Sequence, residues 1–558
     1  MAATGVNTKS PARESVAQVR SRTVIAVVCF LAVYATIAGR LVQYGFADID
    51  DVQHYATIDR SLASRPDIVD RNGDVLATDI RVASLYGEPR NIVDADEAVE
   101  ALSTVLPDVD YKDWHRKLSS GAAFVWLRRE LTPRQQADVL ALGIPGLGFR
   151  TEKRRFYPGG PVASHILGLV DVDNAGIAGL EKYIDDQGLG TMQDLGLDVG
   201  VDLPPVQLSI DARVQYAVRD ELSQALERYQ AIAAGGVIID VRTGEVVAMA
   251  SLPDYDPNNP FNANDKDRLN RMSGGVFEMG STFKSFTTAM ALDSGVVNMT
   301  DRVDTRPFRV AGYTIKEFHN KGSSLTVPEI FKYSSNVGSA READMVGVEG
   351  HKAFLTRLGL LSRLDTELPE VATPTQPHEW KKINSMTISF GHGVATTPLN
   401  TAVAGAALMN GGWLIPPTFL PRSEEDAKAL AQRVISGQTS DNMRALFDLN
   451  GEHGSGRQAL VEGYAVGGKT GTAEKVVNGR YVGNKRFNAY LAAFPINDPR
   501  YVVLVIVDEP KPVPGSGQGA TAASNAAPAA GAIIRRAAPL LGLTPQFGEG
   551  DDTLLVSY

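Results

Sequence analysis

The chain has a single cysteine, Cys29, and it lies inside an apolar run near the N-terminus. Everything after that run lacks a thiol, which excludes disulfides and thiolate chemistry from the body of the protein. Histidine is also sparse. The eight are scattered, with no H-E-x-x-H and no close pair, so no metal site is expected and no cofactor is implied. Long basic runs are missing beyond the N-terminal tail, and the net charge is −10. A nucleic-acid partner is not expected, because such binders usually present a basic face. The hydrophobic fraction of 44% and charged fraction of 22% are those of a globular protein with a real core. At 558 residues there is room for roughly two to four domains.

Lys9, Arg13, Arg20 and Arg22 precede the apolar run TVIAVVCFLAVYATIAG, Thr23 to Gly39. Arg40, LVQYGF and the acidic ADIDD follow. About 17 apolar residues is short for a membrane span, but extension to Phe46 with Arg40 snorkelling gives a sufficient length. The expectation is a cytoplasmic tail at 1–22 and a membrane anchor at 23–46, with the body outside. The rival is a cleaved signal peptide. Against it, no clean A-x-A site precedes Arg40 and the run is long for an h-region.

In SRPDIVDRNGDVLAT, alternating apolar residues around Asn72-Gly73 predict a hairpin. Asp70, Asn72 and Asp74, and again Asp171, Asp173 and Gly176, partly match a calcium loop. Ligand positions are missing in both, and Lys182 stands at the twelfth of the second, so both read as turns. Residues 94–145 read as amphipathic helices, the first capped by Asp94 and a later one started by Thr132-Pro133. From Pro204 the character changes. A strand leads to a helix capped by Asp211, then GGVIID and GEVVAMAS form a hairpin with Gly244 in its turn. FEMGSTFKSFTTAMAL reads as helical from about Ser281. RFNAYLAAFP and DPRYVVLVIVDEP read as strands, and GSGQGATAASNAAPAAGA as a loop flanking the active site and running into a last helix. The sum is an antiparallel sheet flanked by helices, an α+β fold.

GYAVGGKTGT, Gly463 to Thr472, fits two incompatible patterns. One is the phosphate-cradling G-x-x-x-x-G-K-[ST] loop, which needs a strand before it and a helix after it. Here TAEKVVNGRYVG follows, with a hairpin turn at Asn478-Gly479 between β-prone runs. The other pattern is K-T-G, third element of a set whose first two are S-x-x-K and S-x-N. Ser281-Thr-Phe-Lys284, Ser334-Ser335-Asn336 and Lys469-Thr470-Gly471 occur in that order. Each alone is weak; the ordered triple is specific.

The residue types suit acyl transfer. A serine hydroxyl needs a base. Lys284, three residues on in a helix, shares a face with Ser281. A lysine becomes a base only if its pKa falls, and burial beside Lys469 would lower it.

With these motifs, DRNGDVLAT (Asp70–Thr78), RRFYPGG (Arg154–Gly160), HILG (His165–Gly168), GIAGLE (Gly176–Glu181) and TPLNTAVAGAALMNGG (Thr397–Gly412), the chain resembles class B penicillin-binding proteins over nearly its whole length after the anchor. These are membrane-anchored peptidoglycan D,D-transpeptidases, and the motif spacing is most similar to the septal branch. The resemblance implies a non-catalytic pedestal at 47–205, a transpeptidase domain at 206–545 and a short tail at 546–558. It implies that Ser281 attacks the stem-peptide D-alanine carbonyl, with Lys284 as base. Ser334 would relay protons and Asn336 hold the donor's peptide bond. Lys469, Thr470, Gly471 and Thr472 would form the binding strand for the terminal carboxylate, and the backbone N–H groups of Ser281 and Thr472 the oxyanion hole. The implied partners are stem peptides, β-lactams bound covalently to Ser281, and other division proteins. Nothing between anchor and pedestal is long enough for a glycosyltransferase domain, so a polytopic membrane glycosyltransferase is implied as well.

Met279 stands where the family usually has proline, which could loosen the approach to the nucleophile. Ser335 replaces the aspartate of class A β-lactamases. Lateral-wall transpeptidase, β-lactamase, β-lactam sensor and idle scaffold are the alternative readings. A β-lactamase needs a deacylating carboxylate; Glu367 and Glu370 fall near the right place but read as exposed loop residues.

Overall fold

The computed structural model describes residues 65–189 and 203–547, apart from 320, 478, 517 and 518, with scattered positions between 24 and 38. The expected anchor falls largely outside the described residues, as do the 1–22 tail and residues 548–558. Among the described residues no helix is long and apolar enough to cross a membrane.

The first module is built on β1 (Ile68–Val69) and β2 (Val75–Gly87), the hairpin expected at Asn72-Gly73. Asp70 Oδ1 accepts from Asn72 N at 2.7 Å and Asp74 N at 2.9 Å, and Gly73 takes φ +92°. Asp171 Oδ1 closes a second such turn, accepting from Asp173 N and Ala175 N at 2.9 Å each. Both calcium-like stretches are therefore turns in which the aspartate binds its own backbone. β3 (Val125–Leu131) and β4 (Leu147–Phe156) pair antiparallel with the two edges of β2. Helices α1 (Ala95–Val105), α2 (Tyr111–Leu118) and α3 (Pro133–Ala141) start on the caps Asp94, Asp110 and Thr132. The stretch expected to be helical throughout thus holds a strand, β3, which pairs with β2. Leu85, Val99, Leu102, Trp114 and Leu118 close the module's core.

Two of the quoted motifs meet in a buried ion network. Arg155 of RRFYPGG binds Glu181 of GIAGLE at 2.7 Å, and Arg65 reaches the other oxygen of Glu181 at 2.9 Å. The side chains of Arg65, Arg155 and Glu181 are all fully buried. Asp79 and Asp185 complete the network at 3.1 and 2.7 Å. Removing one buried partner strands the others, so Glu181→Ala should cost about 3–5 kcal/mol. The urea midpoint of the full chain measures it; a change below 1 kcal/mol on the order of surface ion pairs would refute the network's role.

The second module centres on a five-stranded antiparallel sheet. Val206–Gln207 (β5) pairs parallel with β1 and links the modules. Next come α4 (Ala212–Arg228), capped by Asp211, and the hairpin β6 (Ala233–Asp240) and β7 (Val246–Leu252), with Gly244 at φ +75°. Helices α5 (Lys284–Asp293), α6 (Val327–Tyr333), α7 (Asn336–Val346), α8 (Pro398–Met409) and α9 (Gly437–His453) follow. The chain then returns through β8 (Gly467–Val477), β9 (Arg480–Phe494), β10 (Tyr501–Asp508) and α10 (Ala526–Leu540). The strand order is β8-β9-β10-β6-β7. Val503, Val505 and Val507 face α4 and α10; Val502, Leu504 and Ile506 face the core that holds α5, α8 and α9. β10 is buried on both sides, which explains its unbroken apolar run. β8 is an edge strand, and its free edge faces the turn into α5.

The modules are stitched by polar contacts. His165 Nε2 lies 2.6 Å from Arg268 O, Gln215 donates to Val162 O at 2.7 Å, and Asn258 accepts from Tyr157 N at 3.0 Å. Glu370 joins them: though exposed, it accepts from Gly179 N at 3.1 Å. Glu367 is half-buried and accepts from the Thr418 hydroxyl at 2.5 Å and Phe419 N at 2.9 Å. The loop expected to hold solvated carboxylates is instead pinned by them, with Leu368 buried between.

Candidate active site

Ser281 sits in a tight 3-10 turn, Gly280–Phe283, and α5 proper starts at Lys284. The expected helix start at Ser281 is thus one tighter turn, drawn in by Met279 O, which accepts from the Thr282 hydroxyl at 2.8 Å and, weakly, from Thr282 N at 3.4 Å. Ser281 is half-buried, and its hydroxyl has no hydrogen-bond partner among the described residues.

Two glycines clamp this turn. A Cβ on Gly391, which takes φ +92°, would lie 1.9 Å from Gly280 O; one on Gly471 would lie 2.2 Å from Met279 O. Met279 itself is completely buried. The approach to the nucleophile is therefore held from both sides, with Met279 packed into the core. Gly391→Ala combines a backbone clash with a disfavoured φ. It should cost roughly 3 kcal/mol or more and lower the reactivity of the Ser281 hydroxyl at least about tenfold. Thermal unfolding and the rate of covalent labelling of Ser281 check both; a variant within error of wild type would refute the clamp.

Lys284 is fully buried. Its Nζ donates to Ser334 O at 2.5 Å, Ser334 Oγ at 3.1 Å and Asn336 Oδ1 at 2.7 Å. All three of its N–H directions are used within the second motif. Lys469 projects from β8, also fully buried, and donates to the same Ser334 Oγ at 3.1 Å and to Thr470 O at 3.2 Å. The Ser334 hydroxyl is thus the junction of both lysines. It is held there by a left-handed backbone, φ +56°, at the end of α6.

Burial, and then the charge of Lys469, holds Lys284 well below the usual ammonium range; Glu317 and Glu342 oppose this. Burial pushes Lys469 down to about 7. An amine so depressed can take a proton from a hydroxyl near neutral pH.

Beyond Lys469, the Thr470 hydroxyl shares a 2.6 Å hydrogen bond with Ser455. Thr472 Oγ1 accepts from Ala522 N at 3.0 Å, which brings the Gly/Ala-rich stretch beside the site as expected. A Cβ on Gly280 would lie 2.8 Å from the carbonyl of Thr472 and 3.0 Å from its N, so the backbones of Ser281 and Thr472 run side by side. All eight expected residues come to this one place. The strand pair after Lys469 turns at Gly479, φ +77°, with Val477 paired to Arg480. A strand pair, not a helix, comes directly after Lys469, and the phosphate-loop reading fails on that ground.

Two residues here gave no sequence signal. Ser455 lies in a polar loop, and Glu317 in an excursion 18 residues before Ser335. Glu317 accepts from Asn336 N at 3.0 Å, Val337 N at 3.2 Å and the Ser335 hydroxyl. Neither Glu367 nor Glu370 bonds to any of the eight site residues.

Residues 234–535 match the family model of the penicillin binding protein transpeptidase domain, and residues 60–192 that of the penicillin-binding protein dimerisation domain. The chain is similar to the "Probable peptidoglycan D,D-transpeptidase FtsI" of Caulobacter vibrioides, 40% identical over 490 residues, covering 86% of this chain and 82% of that protein. It is 31% identical over 481 residues to the "Peptidoglycan D,D-transpeptidase FtsI" of Escherichia coli, covering 80% and 79%. To "Stage V sporulation protein D" of Bacillus subtilis it is 30% identical over 517 residues, covering 86% and 79%.

Proposed function

Since the chain belongs to the penicillin-binding protein transpeptidases, with a dimerisation domain ahead of the catalytic one, we propose that it crosslinks peptidoglycan stem peptides during septal wall synthesis and is a target of β-lactams. The observation that carries this is the convergence of two fully buried lysines, Lys284 and Lys469, on the hydroxyl of Ser334 beside an unpartnered Ser281 hydroxyl.

In this reading the donor peptide lies along β8, its terminal carboxylate on Lys469, Thr470 and Thr472. Asn336 orients the donor amide; its Oδ1 is engaged by Lys284, leaving Nδ2 to donate. Ser281 Oγ bonds to the carbonyl carbon of the penultimate D-alanine as its proton passes to Lys284. The carbonyl oxygen takes the negative charge beside the N–H groups of Ser281 and Thr472. The C–N bond then breaks, and the departing D-alanine nitrogen receives a proton through Ser334. An amine from a second stem peptide attacks the ester carbonyl, loses a proton and frees Ser281. The engagement of Glu367 and Glu370 elsewhere supports transpeptidation over water-driven hydrolysis.

The assignment extends to the whole chain: tail 1–22 in the cytoplasm, anchor 23–46, pedestal 47–205, transpeptidase 206–545 and tail 546–558. The body then works outside the membrane beside a polytopic glycosyltransferase that supplies the strands. The test is a strain depleted of the protein. A fluorescent fusion should restore division and gather at midcell. A uniform sidewall pattern would overturn the septal role, and full rescue by Ser281→Ala would overturn the enzymatic one.

A further inference from the structure

Between α5 and α6 the chain makes an excursion built on two short strand pairs, Arg302–Asp304 with Ser324–Thr326 and Phe308–Val310 with Tyr313–Ile315. Just past the second pair, Lys316, Phe318 and His319 are exposed, but Glu317 turns inward. Its carboxylate reaches the first turn of α7. Asn336 N, Val337 N and the Ser335 hydroxyl donate to it, while Ser335 Oγ accepts from Gly338 N at 2.8 Å. Glu317 and Ser335 together satisfy three of the N–H groups a helix start leaves open, and the carboxylate meets the positive end of the helix dipole.

This matters because of what stands on either side of Ser335. Ser334 holds a left-handed backbone that a serine does not adopt freely, and both Ser334 and Asn336 are bonded to Lys284. Four groups act electrostatically on Lys284 or feel its charge: Lys469 from β8, Glu342 from α7, His392 from the loop after Ser389, and Glu317 from the excursion. Burial pushes Glu342 up to about 8. Glu317, bonded by three donors at the start of α7, is the carboxylate that holds the second motif, and its charge opposes the depression of Lys284 ahead of that of Glu342.

We propose that Glu317 is a positioning residue of this active site: its carboxylate fixes the Ser334–Asn336 segment against Lys284 and supplies a negative charge that favours the protonated form of Lys284. The inference rests on the acyl-serine reading above.

The test is the rate of acylation by benzylpenicillin against pH, with thermal unfolding alongside, on the full chain and two variants. Glu317→Gln keeps the shape and removes the charge. Its maximal rate should fall about 10- to 100-fold, as for a displaced catalytic group, and the acid limb should move to lower pH, because an anion that held Lys284 protonated is gone. Glu317→Asp keeps the charge but shortens the reach; its maximal rate should fall with the acid limb unmoved. A Glu317→Gln rate that drops with the limb in place would show a merely structural residue and overturn the charge role. Wild-type maximal rates in Glu317→Asp would overturn the positioning role, and this variant still decides that point if Glu317→Gln does not fold. A wild-type chain that is not acylated at all would refute the acyl-serine reading itself and is thereby told apart.

Discussion

Mixed with benzylpenicillin, the wild-type chain should gain the mass of one drug molecule on Ser281 and keep it for hours, whereas Ser281→Ala should gain none. The β-lactam carbonyl takes the place of the D-alanine carbonyl, and ring opening leaves the drug esterified to Ser281. The alanine variant keeps Lys284, Ser334 and Lys469 but has no atom to form the bond. Its acylation rate should fall by roughly 10⁴-fold or more, to background. The lifetime of the wild-type adduct carries separate information. Hydrolysis needs a base that can activate water against the ester. The two carboxylates that sequence spacing suggests are spent elsewhere: Glu367 on Thr418 and Phe419, Glu370 on Gly179. Intact mass spectrometry over time reads both points. An adduct that clears within seconds would make the chain a hydrolase and reopen the search for its base. No adduct on the wild type would overturn the site.

The contrast between Ser281 and Glu317 shows what the sequence could and could not disclose. Ser281, Lys284, Ser334, Asn336 and Lys469 were legible because the chemistry demands fixed spacings within single local elements: a turn entering a helix, a helix junction, a strand. The edge strand β8 was legible because Asn478-Gly479 can only read as a hairpin between β-prone runs. By the same logic Asp94, Thr132 and Asp211 announced their helices, since a cap bonds within three residues of itself. Glu317 acts across 18 residues through a loop whose path follows from tertiary packing, and nothing near it in sequence marks it. Glu181 is similar: GIAGLE looks like a turn signature, and only the fold brings its carboxylate to Arg155 and Arg65. β3 was missed because VWLRREL is charged enough to pass for a helix face, while its strand state comes from pairing with β2. Gly391 could not be read at all, because its need to be glycine is set by the distant carbonyl of Gly280.

Replacing Lys284 is the second large effect, and its pH dependence separates the two lysines. Lys284→Ala should lower acylation by about 10³- to 10⁴-fold, the contribution of a well-placed base. Lys284→Arg should not restore it, since a guanidinium remains protonated at any working pH. In the mechanism proposed above, Lys284 must arrive as the free amine. As pH falls through its depressed pKa it becomes an ammonium and the rate falls, which gives an acid limb. In the same proposal Lys469 has the opposite requirement, because it would meet the drug's carboxylate as a cation. Its pKa of about 7 means that rising pH discharges it and gives an alkaline limb, moved upward to the extent that the bound carboxylate favours the charged form. Both lysines contact one hydroxyl, so the two limbs belong to the pair as macroscopic values. Substitution resolves them. Lys469→Arg fixes the positive charge and should flatten the alkaline limb. Because that charge disfavours the Lys284 ammonium at every pH, the acid limb should stay or move lower. Lys469→Met removes the charge altogether, so Lys284 regains its proton more readily and the acid limb should move to higher pH, with weaker binding of the drug. The measurement is the second-order acylation rate from about pH 5 to 10, a window below the ordinary lysine value of about 10.4, where depressed amines titrate. If Lys469→Met left the acid limb unmoved, the two ammonium groups would not be coupled, and the role of Lys469 in making Lys284 a base would be lost.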